Sequence, residues 1–82
     1  MTNEEMADRK RIGARLKQMR MARGMSQSDV ADKVRILRHT RFDRAHVSRA
    51  ERAAHLLTIE TIALLCTAMG ANLLEAFAEA SP

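Results

Sequence analysis

Eighty-two residues, 46% hydrophobic and 29% charged, read as one small globular domain, and no apolar run approaches the roughly 18 residues of a membrane span. All fourteen Lys and Arg fall between Arg9 and Arg52 beside only four acidic residues, a local charge of +10, whereas residues 1–8 and 53–82 carry −3 each. Such a block implies a polyanionic partner. With Phe42 and Phe77 the only aromatics, it lacks both the rings that stack single-stranded bases and the apolar face of an interfacial membrane helix, which leaves double-stranded DNA favoured.

Taken in chain order, the elements read as helices without strands. Thr2 with Glu5 three residues on is a capping pattern, and Met6, Ile12, Leu16 and Met19 keep mostly helical spacing to about Arg23. Gly13 interrupts this first helix at a cost in stability, and Gly24 ends it. Ser26 and Asp29 make a second capping box, and Val30, Ala31 and Val34 give the helix behind it an apolar face. Asp43 caps a short third helix to about Ala53, with Val47 and Ala50 inward and Arg44, Ser48, Arg49 and Arg52 outward. Thr58 opens a fourth helix that Gly70 ends, and Asn72 caps a fifth carrying Leu73, Leu74 and Phe77.

The fourth helix is apolar nearly all round: Ile59, Ile62, Ala63, Cys66 and Met69 form one stripe, with Leu64, Leu65 and Ala68 beside it. A domain close to the lower size limit for a self-sufficient core cannot cover such a helix on every side. A homodimer is therefore expected through Leu64, Leu65, Ala68, Leu74 and Phe77.

Five pieces in order carry a resemblance: residues 20–27 (Arg-Met-Ala-Arg-Gly-Met-Ser-Gln), Val30-Ala31, Val47-Ser48-Arg49-Ala50-Glu51, Thr58-Ile59-Glu60-Thr61-Ile62 and Ala68-Met69-Gly70. Over about Ile12 to Phe77 the chain resembles the helix-turn-helix family of phage Cro and lambda-type repressors, the Xre family. The resemblance implies an all-α, five-helix domain occupying the whole chain, with an acidic N-terminal extension of helix 1. Helices 2 and 3 form the motif, and helix 3 enters the major groove. It implies base contacts from Arg44, Ala45 and Arg49, with Ser48 and His46 as second-choice readers. Phosphate contacts are implied for Gln27 beside Ser26 at the start of helix 2, and for Arg52. Arg20 and Glu51 match a pair that ties helix 1 to helix 3.

Two departures stand out. Between Val34 and Asp43 the chain is about six residues longer than the short turn usual in the motif. This basic, partly apolar stretch either lengthens helix 2 and tucks Ile36, Leu37 or Phe42 against the core, with Arg38 and Arg41 near phosphates, or forms a solvated loop. Ala53 stands where a glycine is common, so helix 3 is open to running on, with Leu56 and Leu57 in the connection as core or dimer contacts.

Other chemistry is not expected. His39, His46, His55 and Cys66 match no zinc spacing, and the single cysteine excludes an internal disulfide. Met6, Met19, Met25 and Met69 read as core filler, and Lys10, Arg11, Arg15 and Lys17 as solvated charges. No acid, base, nucleophile or metal constellation suggests an enzyme, and neither a cofactor nor a small-molecule ligand is evident. The polar start, Met1 to Lys10, fits no signal or transit peptide, so a cytoplasmic location is expected. The expected function is sequence-specific DNA binding by a homodimeric transcriptional regulator, a repressor acting on two half-sites. The competing class is a protein-interaction module, such as an antitoxin or accessory subunit, that uses the apolar surface of helices 4 and 5.

Overall fold

Every helix start rests on a side chain that the sequence supplies at that point. In the computed structural model, which describes residues 2–38, 40–52 and 57–78, the chain forms α1 (Asn3–Ala22), α2 (Gln27–Arg38), α3 (Arg44–Arg52), α4 (Ile59–Met69) and α5 (Leu73–Phe77). No strand occurs among the described residues. The first amides of a helix have no partner within it, and short polar side chains serve them here. Thr2 Oγ1 accepts from the Glu5 N–H at 3.1 Å, Thr58 Oγ1 from Thr61 at 3.1 Å, and Asn72 Oδ1 from Leu74 at 2.9 Å. At α2 the service is reciprocal: Ser26 Oγ accepts from the Asp29 N–H at 3.0 Å, and Asp29 accepts from the Ser26 N–H at 2.8 Å. Those bonds hold the Asp29 carboxyl below its ordinary pKa.

Helices α1 and α4 end alike. Gly24 and Gly70 take φ of +66° and +69°, the left-handed region that a side chain disfavours. The turn at Gly24 lets the Met25 N–H reach the Arg20 carbonyl at 3.1 Å, and the one at Gly70 lets the Ala71 N–H reach Cys66 at 2.8 Å.

Gly13 has a different role from the one its composition suggests. It is buried where α1 crosses α3, and a Cβ there would lie 2.7 Å from the Glu51 carbonyl oxygen and 3.0 Å from that of Ala50. The glycine is thus the contact that lets two backbones approach, and its cost in helix propensity is offset by that approach.

The core gathers Leu16 and Met19 from α1, Val30 and Val34 from α2, Val47 and Ala50 from α3, and Ile62, Leu65 and Cys66 from α4. Helix α4 packs against all four other helices, which corrects the expectation for its apolar surface. Leu65 and Ala68, expected to face a second subunit, are 1% and 6% exposed within the single chain. A helix wrapped by four neighbours is apolar all round without any partner. Leu64 is half-buried, whereas Ile59, Leu74 and Phe77 remain outside, at 62%, 74% and 44% exposure. Leu57 joins the core. Ala53, His55 and Leu56 lie outside the described residues, as does His39.

The long connection is divided between the two expectations for it. Helix α2 does extend, through Arg38, and Phe42 does enter the core. Ile36 and Leu37, by contrast, are 69% and 49% exposed: neither is tucked into the core, and Leu37 borders a groove between α2 and α4.

Arginines fasten the ends together. Arg23 Nε donates to the Met69 carbonyl at 3.1 Å, its Nη1 to Met19 at 3.1 Å and its Nη2 to the Glu75 carboxylate at 3.1 Å, joining α1, α4 and α5. Arg15, expected to be solvated, donates to the Glu75 carbonyl at 3.0 Å, and Arg9 donates to that of Leu57.

The variant Gly13→Ala tests the α1–α3 approach. Alanine gains about 1 kcal/mol of intrinsic helix propensity, but overpacking a site bounded by backbone costs about 1–3 kcal/mol, the upper end where nothing can yield. A lower Tm than the parent is expected by calorimetry; an equal or higher one would mean that the spacing of the two helices is adjustable.

Candidate nucleic-acid interface

Helix α3 buries Val47 and Ala50. At 100° per residue the opposite face is Ala45, Ser48, Arg49 and Arg52, with Arg44 at its edge. Arg44, Ala45, Arg49 and Arg52 are all exposed and Ser48 is partly so. The Arg52 Nε donates to Ser48 Oγ at 3.0 Å, one turn back, which orders both side chains on this face.

The orientation of α3 is set at its inner edge. Glu51 accepts from Arg20 Nε at 2.7 Å and Nη2 at 3.2 Å, a two-pronged contact, and from Gln27 Nε2 at 3.1 Å. Arg20 Nη1 also donates to the Met25 carbonyl at 2.9 Å. The Arg20 and Glu51 side chains retain 11% and 5% of their exposure. Two buried charges are tolerated because each is paired and hydrogen-bonded. One carboxylate thereby joins α1, the start of α2 and the end of α3.

This arrangement bears on Gln27. One of its two amide hydrogens goes to Glu51 and the other is left to give, while its amide oxygen can only accept, as a phosphate oxygen does. The donors that remain at this end are that second amide hydrogen, the backbone N–H groups of Gln27 and Ser28, and the Ser26 hydroxyl, which accepts from Asp29 and still has its proton to give. The Asp29 carboxylate, kept ionised by the same box, opposes an anion there.

His46 occupies a place that its position on the helix does not suggest. Asp43 Oδ1 accepts from the His46 N–H at 3.2 Å, and His46 Nδ1 lies 2.9 Å from Oδ1 and 3.1 Å from the Asp43 nitrogen, donating to the carboxylate when it carries the proton and accepting from the Asp43 N–H when it does not. The ring stacks on Phe42, centroids 4.9 Å apart at 21°. Of its two nitrogens, Nδ1 is used in capping α3 and Nε2 lies outside the cap. The bond from the His46 ring, with that from its backbone, holds the Asp43 carboxyl below its ordinary pKa.

The eleven arginines separate into two groups. Seven are engaged: Arg9, Arg15, Arg20, Arg23 and Arg35 across the fold, and Arg11 and Arg52 within one turn of their own helices. The four with no hydrogen bond or ion pair among the described residues are Arg38, Arg41, Arg44 and Arg49. All four are exposed; Arg44 and Arg49 lie on α3, Arg41 just before it, and Arg38 at the end of α2. Sequence reasoning did not separate the groups, because the carbonyls that take up Arg15 and Arg23 lie about 50 residues away along the chain. Arg38 is set apart within its group: it borders a groove of about 300 Å³ between α2 and α4, with Leu37, Glu60, Ala63 and Leu64.

No group of three or more potential metal ligands occurs among the described residues. Cys66 is buried, which pushes its thiol pKa up and away from the reactive thiolate. No described helix is long and apolar enough to cross a membrane.

Two helices set against each other, the second with an arginine-bearing outer face, within a five-helix domain, define the helix-turn-helix class of DNA-binding domains. The chain belongs to the helix-turn-helix domain family, of the Xre and Cro type: the family model matches residues 11–79, from α1 to beyond α5. The family is one of DNA binding and, typically, not of catalysis. No curated protein matches the chain.

The buried pair makes a prediction. Glu51→Leu leaves the Arg20 charge without its partner and is expected to cost about 3–5 kcal/mol in urea unfolding. Arg20→Met combined with Glu51→Leu is expected to recover most of that loss, because neither charge is then buried. A double variant no more stable than the single one would contradict this account of the site.

Proposed function

We propose that the protein is a sequence-specific regulator of transcription, a repressor that binds duplex DNA as a homodimer on two related half-sites. The observation that carries the reading is the placement of Arg41, Arg44 and Arg49, which lie on or just before α3 with no partner among the described residues. Seven arginines are taken up within the fold, whereas Arg44 and Arg49 on α3 and Arg41 just before it stand exposed. Arg44 and Arg49 are the proposed base readers, arginine being the commonest partner of guanine through O6 and N7, and Ala45 suits a thymine methyl. Ser48, steadied by Arg52, is a further candidate on the same face. His46 is proposed as a cap of α3 rather than a reader, and the first turn of α2, at Ser26 and Gln27, as a phosphate contact made through backbone amides.

Dimerisation is supported by the apolar surface left over. Ile59 and Phe77 border one shallow groove with Ile12, and Leu74 stands exposed one turn before Phe77 on α5. Two such patches meeting about a twofold axis would bury what a small domain leaves uncovered. Recognition helices about 34 Å apart would then meet successive major grooves. Repression would follow from occupying a promoter.

Binding to random-sequence duplex is expected to weaken steeply with salt, and selection from random-sequence DNA to return a site of two related halves. Arg49→Ala is expected to cost about 1–3 kcal/mol on the selected site and to relax the preference at one base pair per half-site. An equal loss on every sequence would make Arg49 a phosphate contact, and no salt-dependent binding by the parent would remove the DNA reading. In sedimentation at micromolar concentration, the parent is expected to be a dimer and Phe77→Glu a monomer. A monomeric parent would refute the dimer.

A further inference from the structure

The stretch that leads into α3 is anchored at three points. The Phe42 ring is in the core, 9% exposed, and stacks on His46. The Phe42 carbonyl accepts from Arg35 Nη1 at 2.6 Å, and the same guanidinium is held by Asp32 one turn back on α2. Asp43, the next residue, is bound in the cap with His46. The chain on the C-terminal side of Arg41 is therefore fixed in direction before any ligand arrives. Arg41 itself is exposed and unpaired among the described residues. Arg44 lies three positions further on, so the two Cα atoms are at most about 11 Å apart.

A recognition helix docks with its N-terminal residues toward the base edges. The chain entering that N-terminus must then pass over the wall of the groove, which is the phosphate backbone. We propose that the anchored entry is a second DNA-contact element, in which Arg41 grips a backbone phosphate beyond the base pairs read by α3. Each half-site is thereby longer than the recognition helix alone requires. Arg35 is a positioning residue: it touches no DNA and holds the Phe42 carbonyl so that Arg41 is presented. Arg38 is not part of the anchored entry: it ends α2 and borders the α2–α4 groove with Glu60. The inference rests on the DNA-binding reading and adds a contact outside the bases that reading assigns.

The cost of ordering this stretch falls on folding and not on binding. A slack loop would lose its conformational freedom when it met the duplex, and much of the gain from one phosphate contact would go with it. Here the core site of Phe42 and the clamp of Arg35 have already removed that freedom.

The test uses a duplex recovered by selection from random-sequence DNA, with its flanks shortened stepwise, and measures affinity against salt for the full chain and for Arg41→Ala, Arg35→Gln and Arg38→Ala. The parent is expected to lose affinity when the outermost pairs beyond each half-site are removed. Arg41→Ala should start weaker, ignore the trimming, keep the parent's base preference, and show a slope of log K against log salt smaller by about 0.9 for each site contacted. Arg35→Gln should lose part of the response to trimming, and Arg38→Ala should behave as the parent. All three substitutions are at exposed side chains, and melting curves check that each variant is folded. Arg41→Ala with the parent's slope and trimming response would overturn the inference while leaving the DNA reading in place. A parent that shows no salt-dependent binding to any duplex would overturn the DNA reading itself.

Discussion

The arrangement of the first three helices depends on one carboxylate. Glu51 sits near the end of the recognition helix, almost without solvent, and receives two bonds from Arg20 and one from Gln27. An ion pair of this kind adds little net stability compared with an apolar pair of the same shape. Its value is directional: the planar guanidinium and the carboxylate meet in one geometry, whereas apolar surfaces slide. Beside it Gly13 brings the backbones of α1 and α3 into contact. Between them, the pair and the glycine fix how far α3 lies from α1 and how it is turned.

Around that node the arginines divide their work by what surrounds them. A guanidinium has five donors in a fixed fork and no acceptor, so it suits the places where carbonyls at helix ends have been left without partners. Arg23 takes up carbonyls of α1 and α4 together with a carboxylate of α5, Arg15 one of α5, and Arg35 that of Phe42. A chain with so small a core and few other long polar side chains closes its short helices in this way. The charge that remains outside is then a subset of the formal charge: Arg41, Arg44 and Arg49 at α3, with Arg38 and the three lysines on α1 and α2.

The parts of this structure that were legible in the sequence are those in which cause and effect lie within one turn. Thr2, Ser26, Asp43, Thr58 and Asn72 start helices because each needs only an amide two or three residues on, and Gly24 and Gly70 end them for an equally local reason. The Arg20 and Glu51 pair spans 31 residues, and only the family resemblance pointed to it. The roles of Gly13, Arg15 and Arg23 were hidden because each depends on what crosses it in space. Helix α4 misled for a related reason: periodicity records how much of a helix is covered but not by whom, so Leu65 and Ala68 read like an interface when they are core. His46 could have been found, since Asp-x-x-His imitates a capping box with an imidazole in place of the usual carboxylate or amide.

The missing side chain at Gly13 also bears on the duplex. Because α1 and α3 approach backbone to backbone at Gly13, and the Arg20–Glu51 pair holds their angle, the proposed recognition helix is closely seated on α1. A reading head that does not give way leaves the adjustment to the nucleic acid, as a change in groove width or a bend at a soft pyrimidine–purine step. The deformability of base pairs that no side chain touches then enters the choice of site. On the proposed reading, a glycine on the far side of α3 thus takes part in selecting the sequence.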